Sequence, residues 1–143
     1  MVNSCAKGKA GEREWAAWLR ERLGLTDARR GRQFSGSPES PDVVGGIPGT
    51  HAEVKRVEAL NLAAAVAQAV RDAGPDAVPY VAHRRNRADW LVTVRAADLA
   101  EFARRIVERP QPTAREIEDA EMLAKGMVPD RRGGYRQLGV YEG

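Results

Sequence analysis

The chain has one cysteine, Cys5, in 143 residues, which excludes an internal disulfide and any cysteine-based zinc knuckle. No apolar run approaches the ~18 residues needed to span a bilayer. The opening Met1-Val2-Asn3-Ser4-Cys5-Ala6-Lys7 lacks the apolar stretch of a secretory leader, so a cytoplasmic protein with no membrane partner is expected. Repeats and low-complexity tracts are absent as well. Net charge is small, 23 basic against 20 acidic residues for +3. Lysine is scarce, 4 against 19 arginines. That imbalance favours bidentate contacts to phosphate or carboxylate over point charges, although a GC-rich genome produces the same bias.

The charge is unevenly placed. Residues 1–56 hold ten Lys/Arg against seven Asp/Glu, while the remaining 87 balance at 13 against 13. Composition is that of one ordinary globular chain with enough apolar residues for a core.

The most informative stretch is Pro41-Asp42-Val43-Val44 followed, after Gly45-Gly46-Ile47-Pro48-Gly49-Thr50, by Ala52-Glu53-Val54-Lys55. It reads as two strands joined by a Gly/Pro-rich connection, hence a hairpin. Strand alternation puts Glu53 and Lys55 on one face and Val54 on the other. Antiparallel pairing would set Asp42 beside Glu53. Two carboxylates held that close repel unless a divalent cation sits between them, and hard oxygen ligands suit Mg²⁺, with Mn²⁺ as a substitute. Charged residues on a half-exposed strand also commonly just face water.

The rest of the chain surrounds this stretch. Lys7-Gly8-Lys9-Ala10-Gly11 reads as a flexible basic lead-in to a helix from about Lys9 to Leu23, with Trp15, Trp18, Leu19 and Leu23 on one stripe. Glu12 falls on that stripe, either as a dipole partner at the helix start or as a third carboxylate for the cluster. Glu14 and Glu21 fall off it and read as solvated. Arg29, Arg30 and Arg32, followed by Ser35-Gly36-Ser37, read as a loop or edge strand contacting phosphate; a solvated charged loop is the alternative. A helix over 61–73 is capped by Asn61 and ended by Gly74. Its periodicity places Gln68 on plain surface. Strands are expected at 78–83 and 90–94 around a basic turn with Arg84, Arg85 and Arg87. His83 has no partner at metal spacing and reads as structural or DNA-facing. A core helix follows from Ala97, with Leu99, Phe102, Ala103, Ile106 and Val107 as its buried face. An exposed helix over 113–126 leads to a Gly/Arg-rich stretch from Pro129, read as an arm or a frayed end.

The order is α-β-β-β-α-β-β-α, an α/β arrangement with a central mixed sheet flanked by helices. The division expected is 1–109 for the main domain and 110–143 for a C-terminal helix and arm. The motif P-D…E-x-K resembles that of the PD-(D/E)xK nuclease superfamily. More specifically, Lys7-Gly8, Glu12-Arg13, Arg30 or Arg32 with Ser35-Gly36-Ser37, Pro41-Asp42-Val43, Glu53-Val54-Lys55 and Gln68 occur in the order found in archaeal-type (Hjc-like) Holliday junction resolvases. The likeness covers residues 7 to about 70.

It implies a restriction-endonuclease-like core. Asp42 and Glu53 would be ligands for Mg²⁺, Lys55 the water-orienting residue, and Glu12 and Ser35 active-site accessories, Glu12 as a further ligand. It also implies branched DNA as substrate and a homodimer making paired symmetric cuts; the short length would suit a phage-encoded member, acting in the host cytoplasm. Lys7, Lys9, Arg29, Arg30, Arg32, Ser37, Gln68, Arg84, Arg85 and Arg87 would contact DNA. A restriction- or repair-type nuclease acting on duplex, flap or nicked DNA, and a non-catalytic branched-DNA-binding module, are the competing expectations.

Overall fold

Trp15, Ala16 and Leu19 fall on one stripe of helix α1 (Ser4–Leu23), and all three are buried, because apolar residues at i, i+3 and i+4 demand an apolar surface over them. The computed structural model describes residues 4–31 and 40–138 and falls into two compact units, Met1–Pro110 and Gln111–Gly143. In the first unit α1 is followed by β1 (Arg29–Arg30), β2 (Val43–Val44), β3 (Thr50–Arg56), α2 (Leu62–Ala73), β4 (Val78–Arg84), β5 (Leu91–Thr93) and α3 (Leu99–Val107). One 3-10 turn, Ala96–Asp98, leads into α3.

The main sheet has the order β3-β4-β5. β3 and β4 are parallel, in register from Thr50 opposite Val78 to Arg56 opposite Arg84, and β5 is antiparallel to β4. α2 is the crossover that a parallel pair requires. Asn61 caps it, accepting the Ala64 N–H, and Gly74 ends it with a φ of 63° and an extended ψ of −164°. Alternation sends Ala52, Val54, Tyr80 and Ala82 into a cluster with Trp15 and Leu19 of α1 and Phe102 of α3. Val81 faces the other way and meets Ala65 and Ala69 of α2. The result is an α/β unit with a mixed sheet between helices.

The hairpin expected between Pro41–Val44 and Ala52–Lys55 does not form. β2 pairs antiparallel with β1 instead, Arg30 opposite Val43 and Arg29 opposite Val44, while β3 takes β4 as its ladder partner. The connection explains this. Gly45 has φ of +68°, and a Cβ there would lie 2.3 Å from the Asp27 carbonyl oxygen, so the chain folds tightly over the Asp27 segment before it reaches β3. The surviving link is local: the Asp42 N–H donates to the Ala52 carbonyl at 3.1 Å, and the Asp42 carbonyl accepts the Gly31 N–H at 2.8 Å.

Residues 7–11 are not a flexible lead-in either, since α1 runs through both glycines. Gly11 is buried, and a Cβ on it would stand 2.9 Å from the Arg56 Cβ. The missing side chain lets α1 lie against β3, and that packing offsets the ~1 kcal/mol that glycine costs within a helix. The buried face of α3 is narrower than expected. Phe102 is buried against Tyr80, with ring centroids 5.2 Å apart, but Leu99 is 57% and Val107 74% exposed, and Ala103 is exposed too.

Glu14 also departs from its expectation. It accepts hydrogen bonds from Arg56 Nη1 at 2.9 Å and Arg84 Nη2 at 2.6 Å, tying α1 to β3 and β4, whereas Glu21 is exposed as expected. The two arginines leave the α1-facing side of adjacent strands in register, so their side chains reach a residue that helical periodicity alone places off the apolar stripe. Both Nε atoms are buried without a hydrogen-bond partner, which makes Glu14 the main compensation for two desolvated guanidinium groups. Glu14→Gln is expected to cost about 1–3 kcal/mol, read as a lower urea midpoint at unchanged slope. An unaltered midpoint would show that the bridge contributes nothing.

The second unit consists of α4 (Ala114–Ala124), β6 (Met127–Pro129) and β7 (Tyr135–Gln137). Thr113 and Glu116 form a reciprocal capping box at the start of α4. The stretch after Pro129, expected to lack structure of its own, returns as the second strand of an antiparallel hairpin, Pro129 opposite Tyr135. Tyr135 anchors it: its hydroxyl donates to Asp119 at 2.8 Å, and the Arg115 guanidinium lies 5.2 Å from the ring centre. One aromatic and a tight turn do what apolar periodicity would do in a longer segment. Among the described residues, no helix is long and apolar enough to cross a membrane.

Candidate active site

Alternation along β3 turns Glu53 and Lys55 toward α2 and Val54 toward α1, as expected. Glu53 is buried. Lys55 Nζ lies 2.8 Å from Glu53 Oε1 and donates to Gln68 Oε1 of α2 at 3.3 Å. Gln68 is therefore half-buried beside the expected site rather than on plain surface: it sits at the border of the apolar face of α2, where a long lysine from β3 reaches it. Asp42 immediately precedes β2, and its Oδ2 accepts the Val54 N–H at 2.8 Å. The side chain of one segment thus holds the backbone of the other, in place of a strand ladder. Glu12 comes from α1 and accepts a hydrogen bond from Arg30 Nε.

These residues share one cavity of about 370 Å³, whose wall includes Lys7, Glu12, Asp42, Glu53, Lys55 and Gln68. A second cavity of about 230 Å³ adjoins it at Glu12 and Asp42 and is bordered by Lys9 and Arg30. Burial, followed by the Glu53 charge, pushes the Asp42 carboxyl up to about 7; Glu12 adds to the rise, and the Val54 N–H and Lys55 oppose it. Asp42 therefore resists ionisation beside its two acidic neighbours. The oxygens of Asp42, Glu12 and Glu53, the last two paired with Arg30 and Lys55, are donors of the kind that suits a hard divalent cation.

Two histidines lie in the sheet, His51 on β3 and His83 on β4. Burial lowers the pKa of His83, and its Nε2 is 2.9 Å from the Thr93 hydroxyl. Burial likewise lowers that of His51, against the charges of Glu53 and Asp72. His51 and Asp72 were not singled out from the sequence, although a His-x-Glu spacing on one strand face was there to be read.

Of the other expected residues, Lys7 is 4.0 Å from Glu58, and Arg29 is exposed, donating to the Asp27 carbonyl at 3.2 Å. Arg84 is engaged elsewhere: besides Glu14, it lies 5.2 Å from the Trp90 ring centre, because its strand register points it at α1 rather than outward. Arg85 and Arg87 are exposed in the β4–β5 turn, where Arg87 adopts a φ of 59°. Arg32, Ser35 and Ser37 lie outside the described residues. Comparison of the chain with known protein families, curated proteins and solved structures finds no match.

Proposed function

We propose that this chain is a Mg²⁺-dependent endodeoxyribonuclease with a restriction-endonuclease-like core, resolving four-way DNA junctions as the archaeal-type resolvases do. The observation that carries the reading is the meeting of Glu12, Asp42, Glu53, Lys55 and Gln68 around one cavity, from four separate segments, in the set and order of the resembled motifs. Asp42 and Glu53, with Glu12 beside them, would hold the cation, which supplies Lewis acidity and activation of water for phosphodiester hydrolysis. Lys55, tethered between Glu53 and Gln68, orients the attacking water and offsets the charge building on the phosphate. Arg30 balances Glu12, so that the accessory carboxylate does not repel the DNA backbone. The exposed Arg85 and Arg87, with Lys9 at the adjoining cavity, grip phosphates, which position the duplex arms without reading sequence. The products carry a 5′-phosphate, and a homodimer makes the two symmetric cuts.

The test is cleavage of a labelled four-way junction beside a linear duplex of the same arm sequences, with Mg²⁺ and with EDTA. Paired cuts in the junction alone, lost in EDTA, are expected. Equal cutting of both substrates would replace the proposal with a general repair- or restriction-type nuclease. Junction binding without cutting in Mg²⁺ or Mn²⁺ would replace it with a binding module.

A further inference from the structure

Glu53 belongs to a second group of potential ligands. His51 precedes it by two residues on β3 and shares its face. Asp72 lies in the last turn of α2, four residues and so one helical turn beyond Gln68. One donor atom each from His51, Glu53 and Asp72 lies within 4.8 Å of the others. His51 and Glu53 are each only 5% exposed, and Asp72 is half-buried, which leaves an approach from the surface. An imidazole nitrogen beside the carboxylates of Glu53 and Asp72 makes a mixed nitrogen and oxygen donor set of the kind a transition dication takes. The position of Asp72 agrees. An acid in the final turn faces the negative end of the helix dipole, an unfavourable placement that a bound cation reverses.

We infer that His51, Glu53 and Asp72 form a second cation site, which takes a first-row transition dication such as Mn²⁺, Co²⁺ or Zn²⁺ and shares Glu53 with the site at Asp42. The sharing rests on the proposed reading of Asp42; the site itself does not. One imidazole nitrogen with two carboxylate oxygens suits these ions, while Mg²⁺ prefers oxygen ligands and keeps its waters. The two sites therefore differ in metal preference although they use one glutamate. Donors around an ion with ~2.1 Å bonds stand roughly 3–3.5 Å apart, so any closure that binding needs is small and open to the half-exposed Asp72. A cation there pins one side of Glu53 and sets its orientation toward the cavity, which makes His51 and Asp72 positioning residues.

The experiment uses the full chain stripped with EDTA, titrated with Co²⁺ by visible absorption and with Co²⁺ and Mg²⁺ by calorimetry. Two Co²⁺ ions per chain are expected. His51→Gln and Asp72→Asn each weaken one of them by about 100-fold or more and abolish its histidine-dependent absorption band, while Asp42→Asn leaves that band in place. Mg²⁺ binding is expected to respond to Asp42→Asn and not to His51→Gln. Co²⁺ stoichiometry and spectrum unchanged in both His51→Gln and Asp72→Asn would overturn the site. Asp72 is half-exposed, so its variant decides the matter if His51→Gln fails to fold. Mg²⁺ binding indifferent to Asp42→Asn, with the cobalt band intact, would overturn the reading of Asp42 and the sharing of Glu53 while leaving the second site standing.

Discussion

Asp42→Asn is expected to reduce junction cleavage by roughly 10³-fold or more, about 4 kcal/mol of barrier, while junction binding stays within a few-fold. Asparagine keeps the shape and the oxygen that accepts the Val54 N–H, so the local backbone is preserved, but it removes the charge that would hold the cation. The same substitution has the opposite sign for stability. Folding raises the Asp42 carboxyl from 3.8 to about 7, so between these values the folded state binds the proton more tightly than the unfolded state. Stability of the metal-free protein must then fall as pH rises through that window and stay lower above it. The full shift of roughly three pH units corresponds to at most about 4 kcal/mol.

Chemical unfolding at pH 5 and pH 8, in EDTA and in Mg²⁺, reads this out. The wild type is expected to lose stability toward pH 8 in EDTA and regain it with the cation. Asp42→Asn is expected to be flat across the window, more stable than wild type at pH 8 in EDTA, and unresponsive to Mg²⁺ there. Retained cutting would sink the metal assignment, and a variant no more stable than wild type at pH 8 would sink the account of a carboxyl buried beside other acids.

Trp15→Ala is the substitution expected to damage the fold most, by about 3–5 kcal/mol. Trp15 is 2% exposed, stacks on Trp18 at 4.9 Å and packs against Trp90 at 5.2 Å. Its indole N–H donates to the buried Tyr80 hydroxyl at 3.0 Å. All three tryptophans of the chain thus meet in one cluster with Tyr80, and truncation both opens a cavity and strips a buried hydroxyl of its donor. Against a typical total of about 5–15 kcal/mol, such a loss brings the protein near its unfolding threshold. Trp15→Phe separates the two effects, since it keeps most of the ring and removes the donor. A loss under about 1 kcal/mol for Trp15→Ala would mean that the core lies elsewhere.

The order of elements was legible because each carried its own signal, as with Asn61 and Gly74 bounding α2. The nearness of Asp42 to Glu53 and Lys55 was legible as well, but through the wrong geometry. Val43-Val44 is too short to carry a period, and nothing local tells an antiparallel partner from a parallel one reached across α2. Gln68 and Glu14 were placed by helical periodicity alone, which describes what a helix buries and not which long side chains reach up from the sheet beneath it. Lys55 reaches Gln68, and Arg56 and Arg84 reach Glu14. Leu99 and Val107 erred in the other direction, since an amphipathic pattern does not reveal how much of its face a neighbour covers.

The contact between Gly11 and Arg56 sets more than the packing of one helix. Gly11 adjoins Glu12, and Arg56 adjoins Lys55, so the absent side chain acts as a gauge block between the helix that supplies Glu12 and the strand that supplies Glu53 and Lys55. Any thickness added there would be transmitted along two rigid elements to their far sides. It would appear as a change in the spacing of charges around the cavity, not as a defect where it was introduced.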